Sequence, residues 1–502
     1  DRRPVTGNTM IDRRDFLAGL GATAGALLVI PLMNAVPTPL ILAGAASLPL
    51  AAQVLVRPGS WRAPLLAGVA LLVSLVWAEP YRLRYNKSYA ETSAVLYERW
   101  TPIARLTVFD SVFWRKDPKE AFQWGAGSRS PARAIEQLWL EQDGSAGTPI
   151  TRLSGDADSL THLLFDVTSV GYQLYAPRTA CIIGAGGGRD ILTAREAGAE
   201  EIDAGEINPQ LIDAVSNRFR EFSGDVYHLP RVRAVASEGR SFLTRSEGRY
   251  DMIQISLIDT WAATAAGAFA LSENYLYTLE ALRLYWSRLS DDGVVSISRW
   301  MLGRRQLEGL RLAVLAVRAL ELEGVADPKS HLAIVQAGRI GTVLIGRRPF
   351  DAPRLARLDA IDGERGFVRL WPADANTPED SRAAQVLDSG WRSLRDQGVD
   401  LSPPDDDRPF FFQTVGLLGR YGSESTTGLS TNEQAIVILR RLLVFLALLA
   451  VVAYFAPFAL SVALIRHPGF WRGSAYFVAI GLAFMCVEAP WIQRFILYLG
   501  HP

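Results

Sequence analysis

The chain has 502 residues, enough for two or three domains, and 49% of them are hydrophobic. Its 52 Lys and Arg offset its 52 Asp and Glu, a balance that gives a nucleic-acid partner no support. Cys181 and Cys486 lie far apart in apolar segments, which argues against a disulfide framework or a zinc site and fits a reduced, cytoplasmic setting.

Apolar residues gather at the two ends. The runs "FLAGLGATAGALLVIPLMNAV" (16–36), "PLILAGAASLPLAAQVLV" (39–56) and "APLLAGVALLVSLVWA" (63–78) are nearly free of charge and of about spanning length. Their small residues suit close helix packing in lipid. Arg13 and Arg14, ahead of Phe16 and Leu17, fit either a paired-arginine export signal or basic anchors beside a span; the further spans behind them favour anchors. At the other end, 442–465 is a strong span and 474–500 a second, containing Glu488 close to Arg494. The competing reading of all five runs is buried core helices. The division expected is transmembrane helices over 1–80, a linker and substrate-side hairpin over 85–175, an α/β domain over 176–430 and further transmembrane helices over 440–502. Topology stays open. Cytosolic arginines followed by three crossings would place the middle of the chain outside the cell.

The middle alternates short apolar strands with helical patterns, the signal of a parallel α/β sheet. Strands are expected at 179–183, 201–204, 232–236, 251–255, 293–298, 331–335 and 342–346. The first runs into a glycine turn, Gly184, Ala185, Gly186, Gly187 and Gly188, and then a helix. Such a turn brings backbone N–H groups and a helix N-terminus to a ligand. The dinucleotide spacing is broken, because Arg189 stands where a third glycine belongs. Glu206 ends the next strand, placed to accept both ribose hydroxyls. Glu238 follows the third strand, where methyltransferase-type sheets face an acid toward the adenine amino group. Glycine turn, Glu206 and Glu238 in this order favour an adenosyl sulfonium over a dinucleotide. The five histidines show no metal spacing, so no metal is expected.

From about 136 to 300 the chain resembles the spermidine synthase (polyamine aminopropyltransferase) family, through "LWLEQDG", "IIGAGGGRD", "GEINP", "EGRSFL", "YDMIQISLID", "LSENYLYTLEAL" and "LSDDGVVSISRW". With "DTWAATAAGAFALSENYLYT" and "DDDRPFFFQTVG" it looks like the membrane-embedded bacterial spermidine synthase-like proteins, which set such a domain between blocks of spans. The resembling proteins continue beyond both ends, so the chain is expected to be a fragment.

The resemblance implies a Rossmann-like, methyltransferase-type sheet of about seven strands flanked by transmembrane helices. It implies S-adenosylmethionine or its decarboxylated form as co-substrate. Gly184, Gly186, Gly188, Arg189, Asp190, Glu206, Glu238 and Gly239 match the donor side, and Asp143, Trp261, Glu273 and Tyr275 the acceptor side. Asp259 matches the second acid of the loop after the fourth strand and is the base expected, with Ser256 as its hydrogen-bonding partner. The implied partners are a small amine or lipid-soluble acceptor, the lipid bilayer and a second copy in a homodimer. The implied place is the inner membrane, multi-pass, with the catalytic domain cytoplasmic.

Three departures bear on the reaction. Soluble aminopropyltransferases carry an acid where this chain has Gly187, an Asp where it has Ser256 and a Gln where it has Gly147. In that family these groups hold the donor's amine and deprotonate the acceptor. Arg189 is positioned to pair with the carboxylate of intact S-adenosylmethionine, or else lies on the surface of the first helical turn. A methyltransferase and a non-catalytic transporter or sensor are the alternatives carried forward. Asp406, Asp407 and Arg408 are read as an ion-pair cluster or a second candidate site.

Overall fold

The computed structural model describes residue 69, residues 85–110 apart from 87, 88, 92, 93 and 102, residues 121–153 apart from 145, and residues 160–258, 273–301, 306–415, 431–459 and 468–499. The chain forms two units, residues 1–110 with 141–144, and residues 111–140 with 145–502. In the first, β1 (Tyr85–Asn86) pairs antiparallel with β2 (Tyr89–Ala90), and β3 (Val95–Trp100) with β4 (Arg105–Phe109). The buried Arg105 faces Glu91 and Glu98 there.

The second unit holds the site. Its elements are β5 (Gln137–Gln142), β6 (Ala146–Thr151), α1 (Val170–Tyr175), β7 (Thr179–Ile183), α2 (Arg189–Glu196), β8 (Glu201–Glu206), β9 (Val232–Ala236), α3 (Gly239–Arg245) and β10 (Tyr250–Ser256). Then come α4 (Leu279–Ser287), β11 (Leu289–Trp300), α5 (Leu307–Leu322), β12 (Leu332–Ala337), β13 (Ile340–Gly346), α6 (Ala352–Arg365), β14 (Val368–Trp371) and α7 (Ala383–Ser389). The chain ends in two long helices, α8 (Thr431–Ala459) and α9 (Pro468–Leu499).

The sheet runs β14-β12-β13-β11-β10-β7-β8-β9. From β9 to β11 all neighbours are parallel. Numbered from β7, these five follow the doubly wound order 3-2-1-4-5. β13 is antiparallel to β11, and β12 and β14 continue antiparallel. The fold is thus a Rossmann-like, methyltransferase-type α/β sheet of eight strands. All seven expected strands are in it. β14 is the eighth, a four-residue edge strand whose Arg369 breaks the apolar pattern.

Sequence explains the element boundaries. Thr278 caps α4 by accepting from the Ala281 N–H, and Asp351 caps α6 by accepting from that of Arg354. Alternate β10 residues serve different faces. Ile253 and Ile255 join the core under α4 and α5, while Met252 faces α1, where Gly171 leaves it room. Gln254 and Ser256 share the Met252 face by the same two-residue period.

Of the expected spans, 16–36 and 39–56 lie outside the described residues, as does 63–78 apart from Val69. Those at 442–465 and 474–500 fall partly within α8 and α9. Among the described residues no helix is long and apolar enough to cross a membrane. The described part of α8 nonetheless leaves five successive apolar side chains, Leu442 to Leu446, 39–60% exposed.

Candidate functional site

The chain reverses direction of winding between β7 and β10, and the crevice at the carboxyl ends of these strands is the topological switch point. β7 delivers the glycine turn there and β10 delivers Ser256. The loop after β10 meets the turn directly. A Cβ on Gly184 would lie 2.2 Å from Ile258 Cγ2.

Gly184, Gly186 and Gly188 have φ of 78°, 52° and 88°, a region costly for side chains. Gly188 hands the chain into α2, and its own Cβ would meet Val226 at 2.5 Å. Behind the turn sits Glu206, buried. Its Oε2 accepts from the Gly186 N–H at 3.1 Å and its Oε1 from the Asn208 N–H at 3.0 Å. Burial raises its carboxyl and these amides pull it back down. Four lone-pair sites leave it capacity for ribose hydroxyls. Tyr227 closes the turn by donating to the Gly186 carbonyl at 2.5 Å.

The hairpin strand β6 lies on the other side of the turn. Thr148 Oγ1 accepts from the Gly187 N–H at 3.3 Å. A Cβ on Gly187 would lie 2.4 Å from the Pro149 carbonyl oxygen. This is backbone against backbone, so no acid fits where the soluble family carries one. Gly147 has a similar cause, since its Cβ would meet the Trp139 ring at 2.1 Å. Trp139 is 1% exposed and packs edge-on against Phe122 at 4.9 Å. Two of the three departures from the soluble family are therefore steric, filled by backbone and by an indole.

Arg189 is the main correction. It turns inward, 2% exposed, and does not present a fork to a ligand. It pairs with Asp166 at 2.7 Å and Asp190 at 2.9 Å, and donates to Thr168 Oγ1 at 3.1 Å. Asp166 also accepts from the Trp124 N–H at 2.5 Å and from the Thr168 hydroxyl at 3.0 Å. Asp190, expected to touch the donor, belongs to this buried network too. Ser256, at the end of β10, accepts from Gln254 Nε2 at 2.9 Å. Gly239 opens α3, where a Cβ would fall 2.4 Å from Ile183 Cγ2.

Glu238 stands at the end of β9, but its carboxylate caps α3, accepting from the Arg240 and Ser241 N–H groups at 2.9 and 2.8 Å. Glu273 and Tyr275 do come together, the phenol donating to Glu273 at 2.8 Å. Burial raises the Glu273 carboxyl, and the Tyr275 bond lowers it. Beside them Arg240 donates to the Tyr275 carbonyl at 3.2 Å and to both oxygens of Asp406 at 2.7 and 2.9 Å. The DDDR segment is thus brought beside Tyr275 through the Arg240 bond to Asp406. It is fastened by Arg311, which donates to the carbonyls of Ser402, Phe410, Phe411 and Gln413. Asp143 lies in the first unit, at φ 49°, accepting from the Arg105 N–H at 2.8 Å. Asp259 and Trp261 lie outside the described residues.

Sequence reading missed Thr148, Tyr227, Asp166, Thr168 and Arg240. Arg240 stands inside EGRSFL, while the other four are brought in from segments outside the quoted motifs. An open polar cleft of about 440 Å³ lies at the opposite, amino-terminal end of β7 and β10, lined by Asp203, Arg233 and Tyr250. Asp203 there accepts from both Arg233 and Tyr250, so those groups satisfy one another. The switch point is at the other end of the sheet.

No family matches the chain, and no curated protein matches it. Solved structures do. A spermidine synthase in complex with the transition-state analogue AdoDATO is 18% identical over 58% of this chain and 82% of its own, with a TM-score of 0.34. Spermidine synthase from Thermotoga maritima is 17% identical over the same shares, at 0.34. A ribosomal protein L11 methylase from Lactobacillus delbrueckii subsp. bulgaricus is 17% identical over 38% of this chain and 79% of its own, at 0.25. At such identities and scores the likeness carries no argument about the reaction.

Proposed function

We propose that this chain is a membrane-bound transferase of the spermidine synthase-like type, moving an aminopropyl-type alkyl group from an adenosyl sulfonium donor to an amine acceptor. One observation carries the reading. The glycine turn keeps its ribose acid, Glu206, while β6 occupies its phosphate side, where Thr148 takes the Gly187 N–H and Pro149 sits against Gly187. A dinucleotide needs that N–H and that space for its pyrophosphate. An adenosyl sulfonium has no phosphate and needs neither.

Arg189 refines the donor. Its guanidinium is 2% exposed and pairs with Asp166 and Asp190 in the interior, away from a ligand carboxylate. This favours the decarboxylated donor, which lacks that group. Membrane attachment rests on α8. Successive residues are about 100° apart around a helix, so Leu442 to Leu446 expose apolar surface in every direction. Lipid is the surrounding that matches such a helix.

The test is mass spectrometry of the nucleoside by-product. Protein in lipid is incubated with S-adenosylmethionine or its decarboxylated form, plus a polyamine mixture. Methylthioadenosine from the decarboxylated donor is expected. S-adenosylhomocysteine would replace the reading with a methyltransferase, and no product from either donor, with binding intact, with a sensor. The membrane part is checked by carbonate washing, after which the chain should stay in the pellet.

A further inference from the structure

The turn at 404–409 is tied to the segment that leads into α4. The Asn274 N–H donates to the Pro409 carbonyl at 2.8 Å and the Leu279 N–H to the Pro404 carbonyl at 3.0 Å. The Asp406 N–H donates to Glu280 Oε2 at 3.0 Å, and Thr278, the cap of α4, donates its hydroxyl to Asp406 Oδ1 at 2.7 Å. Arg240 closes this clasp from α3. Its Nη1 donates to Asp406 Oδ1 and to the Tyr275 carbonyl, and its Nη2 to Asp406 Oδ2.

The clasp meets the carboxyl ends of the strands. Arg240 is the second residue of α3, whose N-terminus Glu238 caps just past β9. Gly239 beside it lies between Ile183, the last residue of β7, and Leu276; its Cβ would fall 2.4 Å from Ile183 Cγ2 and 3.2 Å from Leu276 Cδ2. The segment 273–278 therefore lies between α3 and the 404–409 turn, and within it the Tyr275 phenol holds the Glu273 carboxylate. Arg240 and Asp406 are 19% and 29% exposed, where an ion pair adds little stability. Three side-chain donors converge on the Asp406 carboxylate all the same, and a bidentate guanidinium fixes orientation as well as distance.

We infer that Arg240 and Asp406 are positioning residues for the acceptor, holding the segment that carries Glu273 and Tyr275 at the carboxyl ends of β7 and β9. The inference rests on the transferase reading above and deepens it. The acceptor amine must approach the carbon beside the sulfonium in line, and a displacement of about 1 Å can cost about 100-fold in rate. In that reading Glu238 belongs to the donor side and Glu273 to the acceptor side, and Arg240 spans the two. Neither Arg240 nor Asp406 touches the reacting atoms.

The experiment measures methylthioadenosine formation by the full chain in lipid, from decarboxylated S-adenosylmethionine and the best wild-type acceptor among putrescine, spermidine and spermine. Wild type, Asp406→Asn, Arg240→Met and the double variant are compared, with methylthioadenosine binding followed by calorimetry. Acceptor KM should rise about 10-fold in each single variant, with kcat and methylthioadenosine binding unchanged. The double variant should be no worse than the weaker single one, because both changes open the same clasp. A merely structural role gives another pattern, since a smaller folded fraction lowers kcat and leaves KM alone; that pattern overturns the inference. So does a KM that rises in Asp406→Asn and falls in Arg240→Met, which would mean that Asp406 attracts the cationic acceptor itself and Arg240 only masks it. Unchanged kinetics in both single variants also overturn it and leave the transferase standing. No methylthioadenosine from wild type with any of the three acceptors overturns the transferase reading and the positioning with it.

Discussion

Arg299 and Arg189 are both buried in this domain, and their surroundings differ in kind. Arg299, at the end of β11, is 0% exposed and pairs with Glu308 on α5. Its guanidinium lies over the rings of Tyr277, Phe411 and Phe412 at 5.1, 5.8 and 4.9 Å. Desolvation lowers its pKa and Glu308 holds it up. Cation, acid and aromatic faces together latch the 402–413 segment to the sheet, and nothing in that arrangement requires a ligand. Arg189 faces two acids, and its network runs through Thr168 to Gln254 on β10. A matched buried charge reads as structure; two acids on one cation are expected to leave a surplus negative charge.

The strongest way to break this contrast is to remove one charge from each cluster. Glu308→Gln leaves the Arg299 cation buried, and Arg189→Met leaves two buried carboxylates. Each should cost about 3–5 kcal/mol. The loss in Glu308→Gln should be the same at pH 5 and pH 8, since an arginine does not titrate there. In Arg189→Met it should be smaller at pH 5, where protonation relieves the repulsion. Urea unfolding of the full chain in detergent at both pH values decides it. Equal losses in Arg189→Met would mean that the surplus charge is not real.

A third cluster sharpens the point. Asp362 is buried near Arg369, neither of its oxygens has a hydrogen-bond partner among the described residues, and burial pushes its carboxyl up to about 7. Arg369 already pairs with Asp359 and Asp374. The native state then holds a proton that the unfolded chain releases near pH 4, so stability falls as pH rises between those values. The expected fall from pH 5 to 8 is on the order of 2 kcal/mol, and Asp362→Asn should flatten it. Thermal melts across that range would show a slope unchanged in the variant if the carboxyl is instead ionised throughout. No reacting group lies nearby, so turnover by Asp362→Asn should match wild type.

The smallest effect belongs to a matched pair near water. Arg240 and Asp406 are bidentate but 19% and 29% exposed. Asp406→Asn should change stability by about 1 kcal/mol or less and act on acceptor KM more than on kcat. A loss of several kcal/mol would place this pair with the buried ones.

Much of this was legible in the chain itself. The alternation of apolar runs and helical patterns determined an α/β sheet, because side-chain periodicity is local; the expected parallel order holds from β9 to β11, and β13, β12 and β14 join antiparallel. The five residues from Gly184 to Gly188 determined the turn, since three of them take a φ that other residues avoid. The order of Gly184, Glu206 and Glu238 put acids at successive strand ends, where the fold places them. Where Arg189 goes was not legible. It stands one residue past the turn, a position consistent with facing a ligand or the interior. Its partner Asp166 lies 23 positions earlier in the chain, and only the packing of α1 and α2 on one face of the sheet brings them together. The absences at Gly147 and Gly187 were equally silent, because what fills those spaces is the Trp139 ring and the Pro149 backbone. Local pattern determined which elements form and where the ligand edge lies. Tertiary structure decided which charges reach that edge, because pairing depends on distance in space, not in sequence.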